Sequence, residues 1–297
     1  MKFDKILFSC SEVFAPFWNL QAKIWKTNFG VEPVCLYFSD TKDGMSEEYG
    51  EVILQNTKDY GEEYGNDANI VQITMSKFWH PITEPDTVWF IGDIDMFPLQ
   101  QEYFSNLEDI KHGDYWHLNA SGVVQHNHPF IPNTFIDFFV ENGSHSMGGE
   151  DVPGHYHLAT GKTFQDALFP NGKTIDDALD EIILGTYTNP FCEDNPIQGK
   201  YWCAEEEYSS RHLCNSCRDG VVKFKSKEYC NRTQRCGSAP NQVCDRNFHN
   251  GKYITSTGMP ITKNWLDANN IVDIHCYRPY HEQENHLKEI LKSVNML

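Results

Sequence analysis

The chain has 297 residues, enough for one large domain with a substantial core, and an ordinary globular apolar content of 40%. Its 24 Lys and Arg against 42 Asp and Glu give a formal charge of −18. This argues against nucleic acid and anionic membrane surfaces as general partners, while still allowing a phosphate ligand gripped by one metal and a few basic residues.

Asp4 and Lys5 interrupt the first ten residues where a signal peptide would carry its apolar core. No apolar run reaches transmembrane length. A cytoplasmic chain without a membrane span is expected. Seven cysteines fall between Cys192 and Cys244; in a reducing compartment such a cluster reads as metal-binding or free thiols, in an oxidising one as disulfides.

Lys5–Cys10 reads as a first strand. Glu12–Phe29 follows with Phe14, Phe17, Trp18, Leu20, Ile24, Trp25 and Phe29 at mostly helical spacing, and Gly30 stands where a helix stops. Pro33–Phe38 is a second strand, so the unit predicts a parallel pair joined by a right-handed crossover. In open α/β sheets ligands lie beyond the carboxyl ends of the strands. Those ends are Ser9-Cys10-Ser11, Ser39-Asp40 and Asp93-Ile94-Asp95, small or polar as a nucleotide pocket requires. Ser9, Ser11 and Asp40 are therefore nucleotide-contact candidates, and Ser9 and Ser11 equally suit a turn or a helix cap. Glu47–Asn69 is an acidic loop with a short strand at Val52–Leu54, and Ile70–Trp79 reads as a helix.

Thr87–Leu99 is an apolar, β-rich run that ends in two carboxylates at alternating positions, Asp93 and Asp95. Residues two apart on an extended segment point to one side, so the strand is predicted to aim both carboxylates at one point. Mutual repulsion calls for a cation, and hard ions such as Mn²⁺ or Mg²⁺ take oxygen ligands and bridge carboxylates to phosphates. A solvated strand end in an acidic protein is the plainer alternative. The segment resembles the DxD motif of glycosyltransferases with the GT-A fold, whose aspartates hold a metal that grips a nucleotide-sugar pyrophosphate. The resemblance also implies a basic residue carried toward the donor by the preceding helix, and Lys77 fits that place; a solvated lysine fits it too.

Further on, residues 99–111 read as helical, Tyr115–Ala120 as a strand and Phe130–Asn142 as a helix whose phenylalanines belong to the core. Gly148–Phe164 is dense in Gly, Pro, His and Tyr, a composition suited to a pocket wall. His155 and His157 are its substrate-binding candidates. Thr174–Tyr187 is an amphipathic helix ended at Gly185. Glu205 and Glu206 follow an aromatic pair and open a further helix. They suit the helix dipole, and by resemblance to the carboxylate element of inverting GT-A enzymes one of them, Glu206 first and Glu205 second, is a general base. Cys214-x-x-Cys217 has the form of a structural zinc knuckle, with free thiols or disulfides as alternatives.

Ile271–Ile274 is a strand that delivers His275, ahead of Arg278-Pro279-Tyr280. This is similar to the C-terminal segment of GT-A enzymes. The resemblance makes His275 the third metal ligand after Asp93 and Asp95, and sets Arg278 against the leaving diphosphate.

The expected fold is α/β, a GT-A, Rossmann-like, mixed and mostly parallel sheet flanked by helices. It forms a single catalytic domain over 1–297 with a cysteine-rich insertion at 208–250. The implied activity is Mn²⁺- or Mg²⁺-dependent transfer from a nucleotide-sugar donor, UDP-linked by preference, to a glycan or glycoprotein hydroxyl. A nucleotidyltransferase would need a Gly-rich, basic N-terminal loop that Ser9-Cys10-Ser11-Glu12 does not supply. A binding module built on the cysteine cluster is the non-enzymatic alternative.

Overall fold

Alternation within short apolar runs builds the centre of the fold. In the computed structural model Lys5–Ser11 forms β1, Glu32–Phe38 β2, Glu51–Gln55 β3 and Val88–Ile91 β4. Successive side chains go to opposite faces: Ile6, Phe8, Cys10, Cys35, Tyr37 and Phe90 join one apolar cluster, while Leu7, Val34, Leu36, Trp89 and Ile91 join a second. Burial on both faces explains why these strands read as continuous apolar runs and not as alternating ones.

The structure describes residues 3–62, 64–118, 156–184, 204–226, 231–233, 248–249, 252–254, 259–276 and 280–297. The remaining strands are Met96–Pro98 (β5), Asp114–His117 (β6), His157–Thr160 (β7), Lys223–Ser226 (β8), Asn231–Thr233 (β9), Phe248–His249 (β10), Lys252–Tyr253 (β11) and Ile271–His275 (β12). Among the described residues seven strands form the main sheet in the order β3-β2-β1-β4-β7-β6-β8. β1 pairs in parallel with β2 and β4, β2 with β3, and β6 with β8, whereas β7 runs antiparallel to both β4 and β6. The sheet is thus mixed and mostly parallel, as expected. A smaller sheet, β5-β12-β9, holds the C-terminal strand against the segment that follows β4.

Helices cover both faces. Ala15–Ile24 (α1), continued by a π-turn to Phe29, packs on the first cluster, and Gly30 closes it with φ +66°, a left-handed value that favours glycine. Gly65–Trp79 (α2) and the helices Gly161–Leu168, Ile175–Ile183 and Ala204–Arg218 share the second cluster. Thr160 and Thr174 cap two of these, Thr174 within a capping box completed by Asp177. No helix among the described residues is long and apolar enough to cross a membrane.

Several expectations need correction. Beyond Leu99 only Gln101–Ser105 is helical; Ser105 and Asn106 favour turns over helix interiors. The helix from Thr174 ends at Ile183, and the strand from Tyr115 begins at Asp114 and ends at His117. His157–Thr160 is not a pocket wall but a fully buried strand near the middle of the sheet. Polar rings survive there because they pair: the Tyr115 hydroxyl meets His157 Nδ1 at 2.9 Å, and Phe78 and His117 pack edge-on against the imidazole. The cysteine-rich stretch does not begin as an insertion at 208. The helix Ala204–Arg218 packs in the second cluster and Lys223–Ser226 extends the main sheet beside β6. The helix read over Phe130–Asn142 lies outside the described residues.

Candidate active site

The order β3-β2-β1-β4 places β2 on one side of β1 and β4 on the other, although both follow it in the chain. The carboxyl ends of β1 and β4 therefore mark the switch point of the sheet, the position where doubly wound sheets bind ligands. β1 ends there with Ser9 and Ser11, both half-buried, and β4 leads there to Gly92 and Asp93. Gly92 N donates to Leu7 O at 3.0 Å, prolonging the ladder, and a Cβ at Gly92 would stand 3.0 Å from the Phe8 ring. A side chain at Gly92 would fit only if the buried Phe8 ring gave way by a few tenths of an ångström.

Asp93 and Asp95 do not extend that strand, contrary to the sequence expectation. Met96 N donates to Asp93 O at 3.1 Å, closing a turn between β4 and β5. Each carboxylate has its own partner. Asp93 Oδ1 accepts from Lys77 Nζ at 2.7 Å. Asp95 Oδ2 stands 3.5 Å from His275 Nε2, and the two segments are joined where Cys276 N donates to Asp95 O at 2.7 Å. Asp95 is only 4% exposed, and His275, the last residue of β12, is half-buried.

Lys77 is not a solvated lysine. It lies in the last turn of α2, 4% exposed, with its Nζ 5.7 Å from the Phe78 ring centre. Burial works against its charge, but Asp93, Glu205 and Glu206 together outweigh that and raise its pKa above the ordinary lysine value. Glu205, at the start of the helix Ala204–Arg218, has its pKa pushed up to about 7. Burial is the main cause and the charge of Glu206 the next; Lys77 pulls the other way and Asp93 adds a small upward push. Asp93, Lys77, Glu205 and Glu206 therefore feel one another across the space between α2 and that helix.

The donor set suits a hard divalent cation: two carboxylates and an imidazole, one carboxylate nearly buried beside that imidazole. Among the described residues no three His, Cys, Asp or Glu side chains close on a single point. Asp93, Asp95 and His275 do not by themselves form a closed three-ligand site.

Other candidates stand apart. Asp40 is exposed beyond the end of β2. His157 is fully buried in β7, which removes it as a pocket-lining group. His155 and Arg278 lie outside the described residues. An open depression lined by Glu12, Tyr37, Thr41 and Asp43 near the end of β2 includes none of the site residues. Cys214 and Cys217 sit on one helix in the second cluster, and burial pushes their thiols up to about 11 and about 12, which favours neutral thiols. No further ligands for a zinc knuckle converge on them among the described residues.

No family model matches the chain, and no curated protein does. Among solved structures it is similar to the galactosyltransferase LgtC, crystallised in complex with donor and acceptor sugar analogs. That match has 10% identity and a TM-score of 0.47, and covers 99% of this chain and 96% of that one.

Proposed function

We propose that the chain is a metal-dependent glycosyltransferase that moves a sugar from a nucleotide-sugar donor, a UDP-sugar in the first instance, to a hydroxyl of a glycan or glycoprotein acceptor. One observation carries the reading. Two segments distant in sequence are bonded backbone to backbone so that Asp95 and His275 stand 3.5 Å apart past the carboxyl end of β4, next to an aspartate paired with a buried lysine.

Asp93, Asp95 and His275 would hold Mn²⁺ or Mg²⁺, and such an ion supplies Lewis-acid stabilisation of the charge that grows on a leaving diphosphate. Lys77 keeps Asp93 oriented and adds a fixed positive charge in a poorly solvated place, where it acts more strongly than in water. Glu205 is the better general base of the two glutamates. A carboxylate with a pKa of about 7 is about half ionised near neutral pH, and its ionised form is basic enough to accept the acceptor hydroxyl's proton. As the new C–O bond forms and the sugar–phosphate bond breaks, that proton passes to a Glu205 carboxylate oxygen. Glu206 keeps Glu205 basic through like charge.

A screen of sugar nucleotides tests the proposal by measuring release of free nucleoside diphosphate and transfer to acceptor, with and without Mn²⁺, in wild type and Asp95→Asn. Metal-dependent turnover that the variant loses is expected. Absence of metal-dependent turnover with every donor, in a protein that also binds no UDP, overturns the proposal.

A further inference from the structure

We infer that Gln21 is a positioning residue of the turn that carries Asp93 and Asp95, holding that turn from α1; its link to a metal rests on the function proposed above. Gln21 is fully buried among apolar side chains. A side-chain amide is costly there unless its two N–H donors and its carbonyl all find partners. Trp25, one helical turn on, donates from Nε1 to Gln21 Oε1 at 3.1 Å. An indole can only donate, so this contact fixes Oε1 as the acceptor and settles which way the amide faces.

Nε2 then points at the turn. It donates to Ile94 O at 3.0 Å and to Met96 O at 2.7 Å, the two carbonyls that flank Asp95. The intervening carbonyl of Asp95 accepts from Cys276 N. Three successive carbonyls are thus held by donors from α1 and from the end of β12. No peptide plane beside Asp95 can rotate without leaving a buried carbonyl unbonded. Neither donor of Gln21 serves its own helix; both serve this turn. A residue needed only to fill space would be apolar here.

Gln21→Met keeps the length and fills the space but removes the amide. With UDP present it should raise the Mn²⁺ concentration for half-saturation about ten- to a hundred-fold, the usual effect of removing a group behind a metal ligand. Trp25→Phe, which releases the amide to flip, should shift it in the same direction by less. Leu20→Ala, on the same helix, should lower the melting temperature and leave Mn²⁺ half-saturation where it was. Mn²⁺ binding is read from the electron paramagnetic resonance signal of the free ion. Hydrogen exchange of residues 92–98, read without metal, should speed up in Gln21→Met and Trp25→Phe only. The inference is overturned if the Gln21 and Trp25 variants bind Mn²⁺ and exchange as wild type does, or if Leu20→Ala matches them. Should Gln21→Met not fold, Trp25→Phe decides by the same readouts. If wild type itself binds no Mn²⁺ with UDP, the metal reading fails, and the exchange comparison alone then upholds or overturns Gln21 as the brace of the turn.

Discussion

Replacing Glu205 by Gln should make the protein more stable and less active, with both effects depending on pH. The carboxyl pKa moves from 4.5 to about 7, through burial first and the charge of Glu206 second, net of the attraction of Lys77. Each pKa unit corresponds to about 1.4 kcal/mol, so keeping Glu205 ionised in the folded protein costs about 2–3 kcal/mol once its partial exposure is allowed for. The sign follows from a folded-state pKa above the unfolded one. The folded state holds the proton more tightly, so this contribution to stability is complete below pH 4.5 and lost as pH rises through about 7. Glutamine imitates the protonated carboxyl. At pH 5 Glu205→Gln should melt only slightly above wild type; at pH 8 the variant should melt higher, by about 5 °C for a chain of this size. Its kcat at pH 8 should fall about a hundred- to ten-thousand-fold, the range for a lost general base. Scanning calorimetry of the metal-free proteins at both pH values and steady-state kinetics check this. A melting difference equal at pH 5 and pH 8 would refute the electrostatic account, and an undiminished kcat would remove Glu205 as the base.

Lys77→Met should destabilise the protein by about 1–3 kcal/mol, because it strips a buried cation from Asp93, whose own 32% side-chain exposure softens the loss. The same change should move the acidic limb of the pH–rate profile upward, since Lys77 holds the Glu205 pKa down; an unmoved limb would separate the two residues. Asp95→Asn should abolish Mn²⁺-dependent UDP binding in calorimetry. His275→Ala should raise the Mn²⁺ requirement roughly ten- to a hundred-fold without erasing it, and unchanged values in both would sink the ligand assignment. Cys214 and Cys217, with pKa values of about 11 and about 12, should resist iodoacetamide at pH 8 in the native protein and react once it is unfolded in urea. Rapid native labelling, read by mass spectrometry, would show that they are not buried as neutral thiols.

Periodicity reveals what local sequence controls. The run of β1, α1 and β2, the stop at Gly30, and the strand leading to Asp93 follow from apolar spacing and a few turn residues. Lys77, Asp93, Asp95 and His275 could each be singled out, and the resemblance set His275 beside the two aspartates, but not the bond of Lys77 to Asp93 or the choice of Asp95 over Asp93 as the neighbour of His275. That depends on a turn whose closing bonds come from elsewhere in the fold. His157 looked like a pocket residue because its neighbours are polar, and its burial depends on Tyr115, 42 positions earlier. The stretch from 208 to 226 looked like an insertion because cysteines drew the eye from a helix and an edge strand whose partners lie in the second cluster and in β6. Gln21 could not be found at all by pattern. A glutamine in an amphipathic helix is ordinary, and its partners lie 73 and 75 positions away.

The antiparallel pairing of β5 with β12 also orders events during synthesis. Gln100 and Asn270, which bond beside that pairing, are 170 positions apart. On a ribosome that extends the chain from its N-terminus at about 5–20 residues per second, β1 to β4 and the Lys77–Asp93 pair can assemble early, while Asp95 waits on the order of ten seconds for His275. Closing so long a loop is also slow in itself. A nascent or truncated chain could thus carry a well-formed sheet and still lack half of its candidate metal turn. The strand that carries His275 must therefore be made before Asp95 gains this partner.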